Sequence, residues 1–378
     1  MRIGIVTGEY PPMQGGVGAY SRILAHMLRE QGHTVYVLSR AETHDDTISL
    51  TNTITRWGPH SLRIARRWAQ AHNLDIVNLQ FQTAAYTLSP WIHWLPDALD
   101  HPVVTTFHDL RFPYLFPKAG PLRDWIVMRL ARRSAGVIAT NHEDHARLDH
   151  LPCTALIPIG SNIRAALPAA FDRGYWRAQA GATPGDFLLA YFGLINRSKG
   201  IETLLESLAA LHKASIPVRL VMIGAGAGSS DPTNRTYIAE IEALIERLGL
   251  SAIIHQTGYV DNEAVAAYLS AADVVVLPFT DGASYRRGSL MAGLHYGCTI
   301  VTTTPHIPIP GFRDGDNLRC FPTGDSATLT AILRELFETP EHRERLQAGA
   351  RQRSTEFEWP TIAAQTTTLF ERILGAAQ

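Results

Sequence analysis

Short apolar, β-branched runs recur along the chain, each closed by a Gly, Pro, Asn or Asp turn and followed by a stretch whose apolar positions return every three to four residues. A brief apolar run bounded by turn residues is the pattern of a strand buried on both faces, and the longer period is that of an amphipathic helix. The first half predicts strands at Ile3 to Val6, Thr34 to Leu38, Ile76 to Leu79, Val103 to Phe107, Val137 to Thr140 and Ala155 to Ile159. The second half predicts them at Phe187 to Phe192, Arg219 to Ile223, Ile253 to Gln256, Val274 to Leu277 and Ile300 to Thr303. Two doubly wound parallel sheets in tandem, an α/β architecture with two Rossmann-like domains, follow from this alternation.

The helix after the first strand carries Val17, Tyr20, Leu24, Met27 and Leu28 on one stripe, with Gly32 at its expected stop. Between the two series, Pro158-Ile159-Gly160-Ser161-Asn162 and an Ala/Pro stretch to about Phe171 break the pattern, so the boundary is expected there. The N-terminal domain is expected over residues 1–165 and the C-terminal one over 172–357.

A chain of 378 residues accommodates two cores of roughly 150 to 200 residues each. Hydrophobic residues at 46%, charged residues at 18% and a net charge of −1 place it among globular proteins and give no support to a nucleic-acid partner. Cys153, Cys298 and Cys320 are odd in number and widely spaced, which suggests neither a disulfide framework nor a zinc site and fits a reducing compartment. Met1 to Val6 is too short for a signal peptide, and no run of about 18 apolar residues is available to span a bilayer, so a cytoplasmic protein is expected.

Three segments carry candidate chemistry. Gly15-Gly16-Val17-Gly18 precedes the first helix, where glycines admit an anion to unpaired N–H groups and a positive dipole end; a tight turn accounts for the same glycines equally well. The spacing is not that of a dinucleotide fingerprint, and Gly224, Gly226 and Gly228 put Ser229 where its last glycine should fall, which argues against an oxidoreductase. The second segment, Phe192-Gly193-Leu194-Ile195-Asn196-Arg197-Ser198-Lys199-Gly200, runs from a strand end through two cations into a helix. Cations there face the crevice where α/β proteins bind ligands, though an exposed basic turn reads the same way. The third, DGASYRRGSLMAGLHYG from Asp281 to Gly297, sets Arg286 and Arg287 before a helix with Ser289 as the expected cap and Gly297 as its stop, which attracts an anion; a solvated surface pair is the competing reading, and the Gly/Ser loop after a buried strand favours the anion.

Taken together, MRIGIVTGEYPPMQGGVGAY, TTFHDL, IPIGSN, FGLINRSKGIETLLESL, LVMIGAG, TGYV, AADVVVLPF and the terminal FEW resemble, in order and spacing, the retaining GT-B glycosyltransferases of the family-4 type. The resemblance spans nearly the whole chain. It implies a GT-B fold with an interdomain cleft, the first domain being completed by the C-terminal helix at about 360–378. The implied reaction is transfer of a sugar from a nucleoside-diphosphate-sugar to the hydroxyl of a sugar or lipid-linked acceptor, with retention, in polysaccharide or glycoconjugate synthesis. The nucleotide-sugar is a substrate, so no cofactor is implied, and no metal.

By the same resemblance Gly16 faces the diphosphate, His108 stands beside the donor sugar and Lys199 binds phosphate; Gly15 and Val17 are donor-binding candidates beside Gly16, and Arg197 joins His108 and Lys199 as a candidate catalytic residue. Gly193, Asn196, Ser284, Arg286, Arg287, Gly288 and Ser289 belong to the donor site, and Gly258, Tyr259 and Val260 border the base. Two departures stand out. The family's arginine after the glycine is Leu194, and its two glutamates, which position sugar and ribose, fall on Ser284 and Ala292. Arg197, Arg286 and Arg287 are candidates to restore the lost charge. The alternative is a GT-B-like binding or scaffolding subunit without catalysis.

Peripheral membrane contact, on the inner face of the plasma membrane, is a further expectation from Arg63, Arg66 and Arg67 around Trp68 and from Arg123, Arg129, Arg132 and Arg133 around Trp125; ordinary solvated helix faces are the competing reading. Trp91, His93 and Trp94 read as packing or an acceptor pocket. His142 and His145 lack companions for a metal site.

Overall fold

In the computed structural model, which describes residues 1–13, 15–110, 120–224 and 232–376, the chain divides into two units, Met1–Asn162 with Glu358–Gln378 and Ile163–Phe357. The first unit runs β1 (Arg2–Thr7), α1 (Gly16–Glu30), β2 (Thr34–Arg40), β3 (Ser49–Ile54), α2 (Pro59–Ala71), β4 (Ile76–Phe81), α3 (Leu95–Ala98), β5 (Val103–Phe107), α4 (Gly120–Arg133), β6 (Gly136–Ala139), α5 (His142–Leu148) and β7 (Thr154–Leu156). The second runs α6 (Arg173–Gln179), β8 (Phe187–Phe192), α7 (Ile201–Lys213), β9 (Val218–Ile223), α8 (Pro232–Arg247), β10 (Ile254–Gly258), α9 (Asn262–Ala271), β11 (Val274–Leu277), α10 (Gly288–His295), β12 (Ile300–Thr303), β13 (Arg319–Phe321), α11 (Ser326–Glu338) and α12 (Pro340–Ser354). The last helix, α13 (Trp359–Ala376), returns to the first unit.

Both sheets are parallel, ordered β3-β2-β1-β4-β5-β6-β7 and β10-β9-β8-β11-β12-β13. Strand order reverses between β1 and β4 in one sheet and between β8 and β11 in the other. At such a reversal the connecting helices leave to opposite faces and open a crevice at the strands' carboxyl ends. The chemistry-bearing segments follow β1, β4 and β5 in the first unit and β8 and β11 in the second, at or next to those two places.

Two edge strands, β3 and β13, escaped the apolar pattern. β3 reads Ser-Leu-Thr-Asn-Thr-Ile and is largely open to solvent, so it needs no continuous apolar run, and β13 is three residues long. Ile3, Ile5, Ile76, Val104 and Ile138 form one buried face of the first sheet, covered by Tyr20, Leu24 and Leu28 of α1 and by Trp359, Ile362, Leu369, Phe370 and Ile373 of α13. Trp359 Nε1 donates to the Ser161 carbonyl at 2.8 Å, tying the returning helix to the end of the unit's own chain. In the second unit α7, α8 and α11 cover β8, β9 and β11 through Leu204, Leu208, Ile241, Leu333 and Leu336.

Candidate active site

In the first unit, the sheet face under α1 and α13 is apolar through Ile5, Ile76 and Val104 and turns polar at its carboxyl end. Thr7, Asn78, Gln80 and Thr106 lie there, all fully buried. Side chains two apart on a strand share a face, and the registers Thr7 with Gln80 and Gln80 with Thr106 bring these groups side by side. His108 follows directly; its N–H donates to the Phe81 carbonyl at 3.0 Å, its ring Nε2 meets Gln80 Oε1 at 2.8 Å, and Tyr20 packs edge-on at 4.7 Å. Burial pulls the imidazole down to about 3, so it is neutral at physiological pH while keeping part of its surface open.

The glycine loop differs from a bare anion cradle. The Glu9 carboxylate lies against Gly15 and accepts from the Gly18 N–H, so an internal carboxylate already sits at the start of α1. Burial raises its pKa, against the lowering effect of that hydrogen bond. Gly16 borders open space, its carbonyl accepting from Asn162 Nδ2 at 3.3 Å, whereas the Val17 side chain belongs to the core. Gly226, Gly228, Ser229 and the end of the LVMIGAG segment lie outside the described residues.

In the second unit the β8 loop is built around two glycines with positive φ. Gly193 adopts φ 134° with its Cα facing Lys199, and Gly200 adopts φ 60° where a Cβ would collide with the Pro278 carbonyl. Asn196 Oδ1 accepts from the Ser198 N–H at 3.1 Å and from Ser198 Oγ at 2.7 Å, which closes the short 3-10 turn Arg197–Lys199. Because β8 and β11 are neighbours, this turn meets the loop after β11, and the Thr280 N–H donates to the Ser198 carbonyl at 3.1 Å.

Lys199 Nζ and Arg287 Cζ lie over the same buried ring, Phe279, at 5.1 and 4.6 Å from its centroid. Arg287 also donates to Ser198 Oγ at 3.4 Å and pairs with Asp281. Burial first and the Arg287 charge second bring the Lys199 ammonium down to about 8, with Asp281 opposing. The loop is pinned from behind: Tyr285 is buried against Phe312 and Phe357, and its hydroxyl accepts from Arg353 at 2.7 Å. Ser284 and Arg286 flank that anchor, both half-buried.

The sequence-derived set is therefore only partly gathered. Arg197 is turned to α8, where it pairs with both Glu240 oxygens at 2.9 and 2.7 Å and lies over Tyr237, so it does not join Lys199. Ser289 is not the cap of α10: the helix begins at Gly288 with Arg287 as its cap residue, and Ser289 lies in the first turn, 6% exposed, with an Oγ that has no partner among the described residues. Helix N-termini leave their first N–H groups unpaired, so Gly288, Ser289 and the two cations present donors and positive charge together. Leu194 is exposed and Ala292 is buried in α10. Gly258 has φ 64° with open space beyond, and Tyr259, 75% exposed, stands with half-exposed Val260 at the end of edge strand β10. Sequence reasoning missed Glu9, Asp281, Asn78 and Gln80; the last two were visible as amides inside an otherwise apolar buried strand, where polar groups are informative.

Comparison with known proteins extends this geometry. Residues 14–161 match the family described as Glycosyltransferase Family 4, and residues 172–353 match Glycosyl transferases group 1. These two matches fall on successive parallel-sheet units. The chain belongs to the family-4 glycosyltransferases of the GT-B fold. This glycosyltransferase is 25% identical to a phosphatidyl-myo-inositol mannosyltransferase of Mycolicibacterium smegmatis over all of this chain and 95% of that one. It is also 25% identical to a glycogen synthase of Mycobacterium tuberculosis over 98% of this chain and 94% of that one. Its fold matches the sucrose-phosphate synthase of Thermosynechococcus elongatus, TM-score 0.78 at 20% identity over 99% of both chains. The Anabaena protein HepE in complex with UDP and glucose gives 0.77 at 19% identity, over 98% of this chain and all of that one.

Among the described residues, this glycosyltransferase has no helix long and apolar enough to cross a membrane and no cluster of His, Cys, Asp or Glu that could hold a metal ion. Of the arginines considered for a lipid surface, Arg66 is held by Asp100, and Arg129 and Arg133 share Asp97. The side chain of Arg123 lies outside the described residues. His93 is buried against Phe81, while Trp91 remains exposed.

Proposed function

We propose that the protein transfers a hexose from a nucleoside-diphosphate-sugar to an acceptor hydroxyl with retention of anomeric configuration, and that Lys199 and Arg287 carry the diphosphate. The observation that supports this most directly is that Lys199 and Arg287 lie over one ring, Phe279, while Arg287 is also the cap residue of α10, whose first turn carries the buried Ser289 Oγ, unpartnered among the described residues. A lysine whose charge is disfavoured by burial and by a neighbouring guanidinium is completed by a bound dianion. Arg287 takes the part of the arginine absent at Leu194, reaching the same lysine from the neighbouring strand. Gly193, Arg286 and Gly288 shape that phosphate site, and Tyr259, with Gly258 and Val260, offers a face for the base. That HepE binds UDP and glucose, and that several relatives are named mannosyltransferases, agrees with a nucleotide-sugar donor.

In the reaction, the anomeric bond to the diphosphate breaks while the acceptor hydroxyl oxygen bonds to the same face of the sugar and the hydroxyl proton passes to the departing diphosphate. Negative charge grows on the leaving phosphate, and preorganised donors aimed at it lower the barrier, each worth about 3 to 4 kcal/mol where a single one has been removed. His108, neutral, acts on the donor sugar by hydrogen bonding and not by charge. The start of α1 carries Glu9, so the surroundings of Gly15 and Gly16 suit hydroxyl groups of donor or acceptor at least as well as phosphate.

The absence of carboxylates at Ser284 and Ala292 favours a second reading, a non-catalytic binding subunit. A panel of nucleotide-sugars incubated with candidate sugar and lipid-linked acceptors, with nucleoside diphosphate release followed by mass spectrometry, separates the two. Release that disappears in Lys199→Met supports transfer; nucleotide binding without release supports the second reading.

A further inference from the structure

We infer that Asn78 and Gln80 form a hydrogen-bond relay that fixes His108 as its Nε2–H tautomer, leaving Nδ1 to accept a hydrogen bond from a hydroxyl of the donor sugar. The first half stands on geometry alone, and the second rests on the proposed role of His108 at the donor.

The relay starts at a group whose role is not negotiable. The Val104 main-chain carbonyl can only accept, so the Asn78 atom 3.0 Å from it is Nδ2, which also donates to Thr106 Oγ1 at 3.0 Å. Asn78 Oδ1 is then left as an acceptor, and it receives Gln80 Nε2. Gln80 Oε1 in turn faces His108 Nε2 at 2.8 Å, and an amide oxygen can only accept. The imidazole nitrogen must therefore carry the proton. Turning over either amide would set two donors or two acceptors against each other in a place from which water is excluded, since Asn78 and Gln80 are both fully buried.

The strands hold the relay in register. Asn78 and Gln80 pair with Val104 and Thr106 across β4 and β5, and the Gln80 carbonyl accepts from Tyr86 Oη at 2.8 Å. Nδ1 of His108 has no protein partner among the described residues, and Tyr20 packs edge-on against the ring. A bare imidazole nitrogen accepts from a hydroxyl and is repelled by a carboxylate or carbonyl oxygen at the same position. Asn78 and Gln80 are positioning residues, acting through His108.

The test is the nitrogen spectrum of protein labelled with 15N-histidine at neutral pH, recorded for wild type, Asn78→Val, Gln80→Leu and Thr106→Val. The expected result is a proton on Nε2 and a bare Nδ1 in wild type and in Thr106→Val, which keeps the Val104 anchor. Asn78→Val, which does not touch His108, and Gln80→Leu should mix or invert the tautomers, with melting temperature as the folding control. Turnover of whichever of GDP-mannose or UDP-glucose serves as donor should fall about tenfold or more in both. A proton on Nδ1 in wild type overturns the inference even if the variants fail to fold, and so does an unchanged tautomer in both folded variants. Adding the donor should shift the Nδ1 resonance. An expected tautomer with an Nδ1 that ignores a bound donor would leave the relay standing and remove the donor-site role of His108.

Discussion

Replacing Arg287 by Met keeps an unbranched stem over Phe279 and removes the charge together with the guanidinium's bonds to Ser198 and Asp281. Nζ of Lys199 and Cζ of Arg287 lie on one ring, at 5.1 and 4.6 Å from its centroid, so the two charges are within about 10 Å of each other. At an effective dielectric of about 20, unit charges at about 10 Å repel by about 1.7 kcal/mol, a little over one pKa unit. The Lys199 ammonium, now at about 8, should rise toward about 9 in Arg287→Met. The same change removes one preorganised positive group from the leaving diphosphate, which should cost about 100- to 1,000-fold in kcat. Steady-state kinetics at pH 7 measures the second effect. Calorimetric titration with a nucleoside diphosphate across pH measures the first, because the pH at which affinity falls should move up by about one unit. A loss of less than about threefold in kcat, or an affinity profile that does not move, would refute the argument that these two cations act together on one dianion.

Further outcomes follow from the same site. In wild type, affinity for the nucleoside diphosphate should fall as pH rises through about 8, since the free protein releases the Lys199 proton there while the bound anion holds it to higher pH; binding in that range should take up a proton, seen as buffer-dependent heat. Lys199→Met should raise the melting temperature of the unliganded protein at pH 7 by a few degrees while abolishing turnover. Its folded pKa lies below the unfolded value, so the charge opposes folding at neutral pH and that penalty fades as pH rises above 8. Asp281→Asn should tighten nucleoside diphosphate binding severalfold at low salt, by removing the carboxylate that Arg287 holds in the unliganded protein, with the gain screened away at high salt. Gly200→Ala should lower stability by about 1 to 3 kcal/mol in urea titration, from its left-handed backbone and the Pro278 carbonyl at its Cα.

The interior strands were legible because burial on both faces forces an apolar run: Phe187–Phe192, Val274–Leu277 and Ile300–Thr303 fall where the pattern places them. The edge strands β3 and β13 were not, since one open side relaxes that demand. The chemistry-bearing loops were legible as glycines and cations after strands, but side-chain direction was not. Arg197 and Arg287 look alike in sequence, yet one pairs with Glu240 and the other lies over Phe279 and pairs with Asp281. Ser289 looked like a cap because hydroxyls favour that position, yet the helix starts one residue before it. Asn78 and Gln80 were legible in principle: a parallel strand reading Ile-Val-Asn-Leu-Gln-Phe buries two amides that must find partners.

The most direct test of the account is nucleoside diphosphate release from a nucleotide-sugar panel by wild type and Lys199→Met, with the anomeric configuration of the product read by NMR. Release and a retained anomer are expected with wild type, and loss of both in the folded variant. Equal turnover by the two proteins, or a wild type that binds no nucleotide-sugar, would contradict it.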